Sequence, residues 1–228
     1  MTEEERDSFV EDILAFEHEK HLKRQERLLD AIRKVLAKKD LNSLLQTAAD
    51  AARDLTGARY VTTGHGYVNG AFTAGGASRS DGAMPCPTGK EFNIEKGGVY
   101  LNLIQEKESI RLTDAEMRSN PAWWGLPEGH VPLRGLLGVR LVDVNGQPNG
   151  LMMASDKEDG GEFTAEDETI LSQLAAMVSL ALQHIEARME AENEKLRLEA
   201  VLEALPVGMA VTDAKGGQIK SNSAFEQI

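Results

Sequence analysis

At 228 residues, with 41% hydrophobic content and a formal charge of -12, the chain is long enough for one full domain with extensions and has the composition of a soluble protein. That negative field repels nucleic acid and anionic membrane surfaces, which are held largely by Lys and Arg, so neither is expected as a partner. The lone cysteine, Cys86, excludes a disulfide framework and a multi-cysteine zinc site; with no signal peptide and no apolar run of about twenty residues, a cytoplasmic location is expected.

The first forty residues read as helix, because Phe9, Val10, Ile13, Leu14 and Phe16, then Leu22, Leu28, Leu29, Ile32, Val35 and Leu36, recur at three- and four-residue steps. His18 and His21 have a spacing that metal sites use, but beside Lys20 and Lys23 they read better as a solvated helix face. Asp40 is placed to cap a second helix that runs through Leu44, Leu45, Ala48, Ala52 and Leu55 to Gly57. Ala58 to Thr63 reads as the first strand. Gly64, Gly66, Asn69-Gly70 and Gly75-Gly76 then punctuate a hairpin in which His65 reads as an exposed turn histidine. Between Ala77 and Gly98, Pro85, Pro87 and Gly89 mark an extended loop; Val99 to Gln105 reads as a short helix leading to Ile110 to Leu112. Cys86 lies in that loop. It is either structural or a thiol that meets a bound cofactor, with Arg79 and Lys90 the nearest cations in sequence.

Proline and glycine every few residues preclude a regular helix from Asn120 to Arg134, a loop that delivers Trp123, Trp124 and His130 to the mouth of the sheet. Two apolar runs from Gly135 to Lys157 then flank Asn145-Gly146, which predicts a hairpin with a tight primed turn and both faces covered. Thr164, with Asp167 three residues on, predicts the N-cap of a long helix through Leu171, Leu174, Ala175, Val178 and Ala181.

The order Leu-Gly-Val, turn, strand, Asp156-Lys157, Phe163, Asp167-Glu168, long helix resembles the second half of a GAF domain, and the Leu28 to Ala58 pattern resembles its opening. The resemblance implies an α+β fold: a central antiparallel β-sheet with helices packed on one face and ligand-covering loops on the other, spanning 28–185. It also implies a small-molecule-sensing role in a sensor protein. His130-Val-Pro132-Leu-Arg134 followed by Leu137-Gly-Val139 is similar to the segment carrying the proximal haem histidine in haem-binding GAF domains of mycobacterial sensor kinases. That likeness makes His130 the axial ligand of a haem, with Cys86 in a loop comparable to one that bonds haem in methanogen sensor kinases. Trp123, Trp124, Leu137 and Met153 are the apolar walls expected around it. The mycobacterial kinases have His-Pro-Pro at the ligand, and a tyrosine where Met153 stands here. A thioether cannot donate a hydrogen bond to bound oxygen, though it can ligate iron. The Asp156-Lys157, Phe163, Asp167-Glu168 series is also similar to the signature of cyclic-nucleotide GAF domains; here Lys157 and Asp167 are expected to pair and pin the last strand to the long helix.

Residues 1–27 read as an N-terminal helical linker and 186–204 as a signalling helix. The stripes Leu22, Leu28, Leu29 and Ile185, Met189, Leu196 suggest a homodimer paired through the terminal helices. Leu205 to Phe225 resembles the opening of a PAS domain, which implies further PAS and kinase domains downstream; on their own, residues 205–228 are too few to bury a core and are expected to be disordered or to borrow partners. No catalytic motif appears, so no enzyme is expected. GAF-type reductases of free methionine sulfoxide need more than one cysteine. A ligand-sensing domain regulating a histidine kinase is the reading; the alternatives are a ligandless GAF dimerisation and spacer module, or a cyclic-nucleotide-type GAF domain, of a sensor kinase or a diguanylate cyclase.

Overall fold

The computed structural model describes residues 3–68, 71–80, 99, 107–123, 125, 133–214 and 218–226. They form two compact units, Met1–Gln183 and His184–Ile228.

In the first unit, α1 (Glu3–Leu36) runs without a break and buries Leu28, Ala31 and Val35. α1 stops at Leu36, and Asp40 starts α2 (Leu41–Thr56): its carboxylate accepts from the Ser43 amide at 2.9 Å, and Gly57, at φ 63°, closes the far end. The strands are β1 (Ala58–Val68), β2 (Ala71–Arg79), β3 (Ser109–Thr113), β4 (Gly135–Val142) and β5 (Pro148–Lys157), with the six-residue α3 (Asp114–Ser119) between β3 and β4. All pairings are antiparallel in the order β2-β1-β5-β4-β3. The long helix α4 (Ala165–Ala204) follows, with its earlier part in the first unit. One 18-residue window of α4 has mean hydropathy 1.2, apolar enough by length and composition to cross a membrane, yet half of it is buried in the protein.

Two local departures from expectation have physical causes. The first strand does not stop at Thr63 but continues to Val68, so His65 is a buried strand residue, 3% exposed and paired with Ala74 and Gly150, rather than an exposed turn histidine. One of the glycines that suggest a turn is there because helix meets sheet: a Cβ on Gly76 would lie 2.5 Å from the backbone nitrogen of Gln46. Gln46 completes that contact, its carboxamide bonding the Ala77 carbonyl at 2.6 Å and the Ala77 amide at 3.2 Å, which occupies the edge of β2. Gly76→Ala should therefore push α2 off the sheet and cost about 2 kcal/mol, the middle of the overpacking range; an unchanged urea midpoint would contradict the contact.

The second departure is the β4–β5 turn, which is not a two-residue primed turn. Asp143 accepts from Gly146 through its carbonyl and from the Asn145 and Gln147 amides through its carboxylate, and in this loop only Gly146 has positive φ, 74°. The result is a three-residue loop that closes on a left-handed glycine.

In the second unit, the rest of α4 is followed by β6 (Ala210–Thr212), β7 (Gln218–Ser221) and α5 (Ser223–Glu226). Where disorder or borrowed partners were expected, β6 and β7 pair antiparallel around the Asn222 carboxamide. Its nitrogen donates to the carbonyls of Leu202, Leu205 and Val207, and its oxygen accepts from the amides of Met209 and Phe225. One buried side chain thus replaces the core that 24 residues cannot build, while the β6 side chains stay exposed. Two residues of the expected pairing stripes, Leu28 and Ile185, are buried and cannot face a second chain.

Candidate functional site

Strand alternation divides the sheet residues between two faces. Thr63 donates to the Leu45 carbonyl and Ser78 bonds Arg53, both in α2, so Val61, Thr63, Ser78 and their cross-strand neighbours Met152 and Ala154 face the helices. Leu137, Val139 and Leu141 share that face through their pairing with β5. The opposite face carries the row Arg79, Tyr60, Ser155, Leu136, Leu112, and beside it the row Ala77, Thr62, Met153, Gly138, Ile110.

On this second face Ile110, Leu136, Leu151 and Met153 form one buried apolar cluster with Val99, Met117 and Leu133, and Tyr60, Phe72, Leu112 and Trp123 pack against it. α3 delivers Met117, fixed by a reciprocal cap between Thr113 and Glu116. A turn on Asn120 presents Trp123, whose amide donates to the Asn120 carbonyl at 2.8 Å, while the Asn120 side chain accepts from Ala122. Where the chain returns to the sheet, the Arg134 amide donates to the Asp156 carboxylate at 2.5 Å. Asp156 has φ 52°, the one non-glycine residue with positive φ among those described, a conformation that Asp tolerates better than most residues. The β2 side of the face is polar: the Arg79 guanidinium lies 5.0 Å from the Tyr60 ring centre.

Of the residues singled out in the sequence, Met153 and Trp123 meet in this cluster. Leu137 does not. It is fully buried on the helix side, and Leu136 stands where a wall beside Met153 was expected, because adjacent strand residues point to opposite faces. His130, Cys86 and Trp124 lie outside the described residues. His18 and His21 are on the exposed side of α1, with His21 Nδ1 3.8 Å from Glu166.

Next to the cluster, the first turn of α4 gathers charges from three elements. Asp167, 2% exposed, accepts from Lys157 of β5 at 2.8 Å, from the Thr164 amide at 2.8 Å and from Arg24 of α1. Thr164 in turn accepts from the Asp167 amide, which completes the predicted cap. Burial pushes the Asp167 carboxyl up, but the bonds from Lys157, the Thr164 amide and Arg24 outweigh it and hold the group below the ordinary aspartate value. Glu168 binds the Ser109 hydroxyl at 2.6 Å and Arg111 at 3.1 Å, both of β3; the Ser109 bond, against a smaller cost of burial, lowers its carboxyl in the same direction. Arg24 and Ser109 carry no sequence signal for these roles, since their partners lie 143 and 59 residues away. The ion pairs are consumed in tying β3, β5 and α1 to α4. The face away from the helices is apolar, and its cluster residues are buried.

A family model described as GAF domain matches residues 38–183. Among solved structures, the chain is similar to the GAF domain of a phosphoenolpyruvate-protein phosphotransferase from Coxiella burnetii, at 19% identity and TM-score 0.60, covering 74% of this chain and 98% of that one. It is similar to the chromophore-binding domain of an unusual bacteriophytochrome from R. palustris, at 14% identity and TM-score 0.58, covering 74% and 63%. It is also similar to residues 122 to 287 of a methyl-accepting chemotaxis protein, at 14% identity and TM-score 0.58, covering 69% and 97%. At these identities the likeness is one of fold. The antiparallel five-stranded sheet, its helix-covered face, its apolar outer face and the match over 38–183 agree: the chain belongs to the GAF domain family.

Proposed function

We propose that the chain is a sensory module that takes a small, mainly apolar ligand on the sheet face away from α2 and α4 and passes the occupied state along α4 to a downstream histidine kinase. The observation that carries this is the gathering of Ile110, Leu136, Leu151, Met153 and Trp123 on that face, on a strand whose Lys157 is bonded to the first turn of α4. A phytochrome chromophore-binding domain and a chemotaxis protein share the fold, which supports a signalling role. The role is binding and relay, not catalysis, in the cytoplasm. The residues from Leu205 onward are the opening of a PAS domain that precedes the kinase.

Haem is the ligand to test first. The described wall suits a porphyrin: it is apolar, Met153 brings a thioether, and Gly138 beside it has no side chain. His130 is the axial ligand in this reading, with Trp124 as a further apolar wall and Cys86 as a second point of attachment. Bound haem would supply an iron that responds to redox state or to a diatomic gas. Reconstituted protein is expected to take up one equivalent of haem and show a Soret band that His130→Ala shifts or abolishes. Met153→Ala should change the spectrum of the sixth position, and Cys86→Ser should make any covalently held haem extractable. Failure of the wild type to bind haem under reducing conditions would remove haem from the proposal.

A further inference from the structure

β4 ends at Val142, a residue whose backbone hydrogen bonds leave the sheet. On one side, the β3 ladder reaches only to Ser109, opposite Val139, and the Glu108 carbonyl accepts from the Arg140 amide at 3.1 Å. On the other, Val142 faces Pro148, which has no N–H to give, and a register shift here leaves Asn149 of β5 without a counterpart. Both backbone groups of Val142 go to α4 instead. Its amide donates to Ser179 Oγ at 3.1 Å, and its carbonyl accepts from Gln183 Nε2 at 3.0 Å. Ser179 is buried, so that bond is made away from water.

Ser179 and Gln183 lie one turn apart on the same side of α4, so the two bonds fix both the height and the rotation of the helix against the strand. Gln183 is also the last residue of the first unit; beyond it α4 belongs to the second. At the other end of the same strand stands Leu136, a member of the outer cluster, about 20 Å from Val142 at the rise of an extended chain. We propose that Val142 is where a shift of β4 is handed to α4, with Ser179 and Gln183 as the positioning residues that make the helix beyond Gln183 follow the outer face of the sheet. Lys157 fixes the first turn of α4 to β5, and Val142 fixes its later turns to β4, so relative movement of the two strands turns the helix. This role rests on the proposed reading of α4 as the output path, not on which ligand occupies the face.

The test replaces the ligand by a substitution and reads amide exchange in the full chain. Leu136→Val disturbs the outer end of β4 with a small change of volume. Exchange at 186–191 is read relative to Leu45 and Ala48 of α2, so that loss of overall stability cancels. With the clamp intact, Leu136→Val should change this ratio about fivefold, the lower end of ordinary coupling between sites. In Ser179→Ala/Gln183→Met, which keeps most of the bulk and makes neither bond, the same substitution should change it by less than about twofold, the limit of additive behaviour. Gln183→Met alone, which leaves the buried serine in place, should lose part of the response. An equal response to Leu136→Val with and without the clamp, or no response at 186–191 with the clamp intact, would overturn the proposal. Haem uptake is a separate measurement: its failure would remove haem and leave the clamp standing.

Discussion

Asp167→Asn is expected to destabilise the first unit by about 3–5 kcal/mol, the cost of removing one partner from a buried ion pair. The carboxylate is 2% exposed and serves both Lys157 and Arg24, each only 15% exposed. The amide keeps the Thr164 contact but leaves Lys157 without its countercharge and Arg24 with only Glu166, 2.8 Å away. Urea unfolding followed by tryptophan fluorescence reads the loss; a change under about 1 kcal/mol would place the group among ordinary surface pairs. The acid limb gives a second readout with a definite sign. Because the folded-state carboxyl lies below the ordinary value, its contribution is fully present above the unfolded aspartate value of about 4 and is lost as pH falls through the folded one. Wild type should lose stability below about pH 4, and the variant should lose less over the same interval, with Glu168 supplying part of what remains.

Asn222→Ala should melt the β6–β7 hairpin. It removes the partner of five backbone groups, reached through two N–H protons and one carbonyl oxygen, from a residue that is 2% exposed, and at about 0.5–1.5 kcal/mol per full bond, plus the desolvation cost of the groups left unpaired, the loss exceeds what a two-stranded ladder supplies. Amide exchange at Val211 and Lys220, partners in that ladder, should rise to the rate of an unfolded chain while the first unit is unaffected. Retained protection would show that the hairpin is held by something other than this carboxamide.

What was legible in the sequence is what depends on neighbours in sequence. Asp40, Gly57 and Thr164 cap helices because a side chain or a free φ acts within four residues, and all three do so in the structure. The apolar runs around Asn145-Gly146 form the central hairpin for the same reason, although Asp143 lengthens the turn by capturing two amides. Contacts made across the fold were not legible. Gly76 reads as a turn and is in fact the point where α2 touches β2, and His65 reads as a turn residue because its pairing partner on β5, Gly150, lies 85 residues later. In the candidate site, Met153 and Trp123 were found but Leu136 was taken for Leu137, since a one-residue choice of face cannot be made until the pairing with β5 fixes the register.

Met152 and Met153 are adjacent on β5 and point to opposite faces, so their methyl groups test the placement of the ligand directly. With methionine methyls labelled and ferric haem added to the full chain, the resonances of Met153 and Met117, both in the outer cluster, should be shifted or broadened first. The resonance of Met152, buried on the helix side, should change least. Perturbation of Met152 with Met153 unaffected, or no change in any of the eight methionines, would contradict a ligand site on the outer face of the sheet.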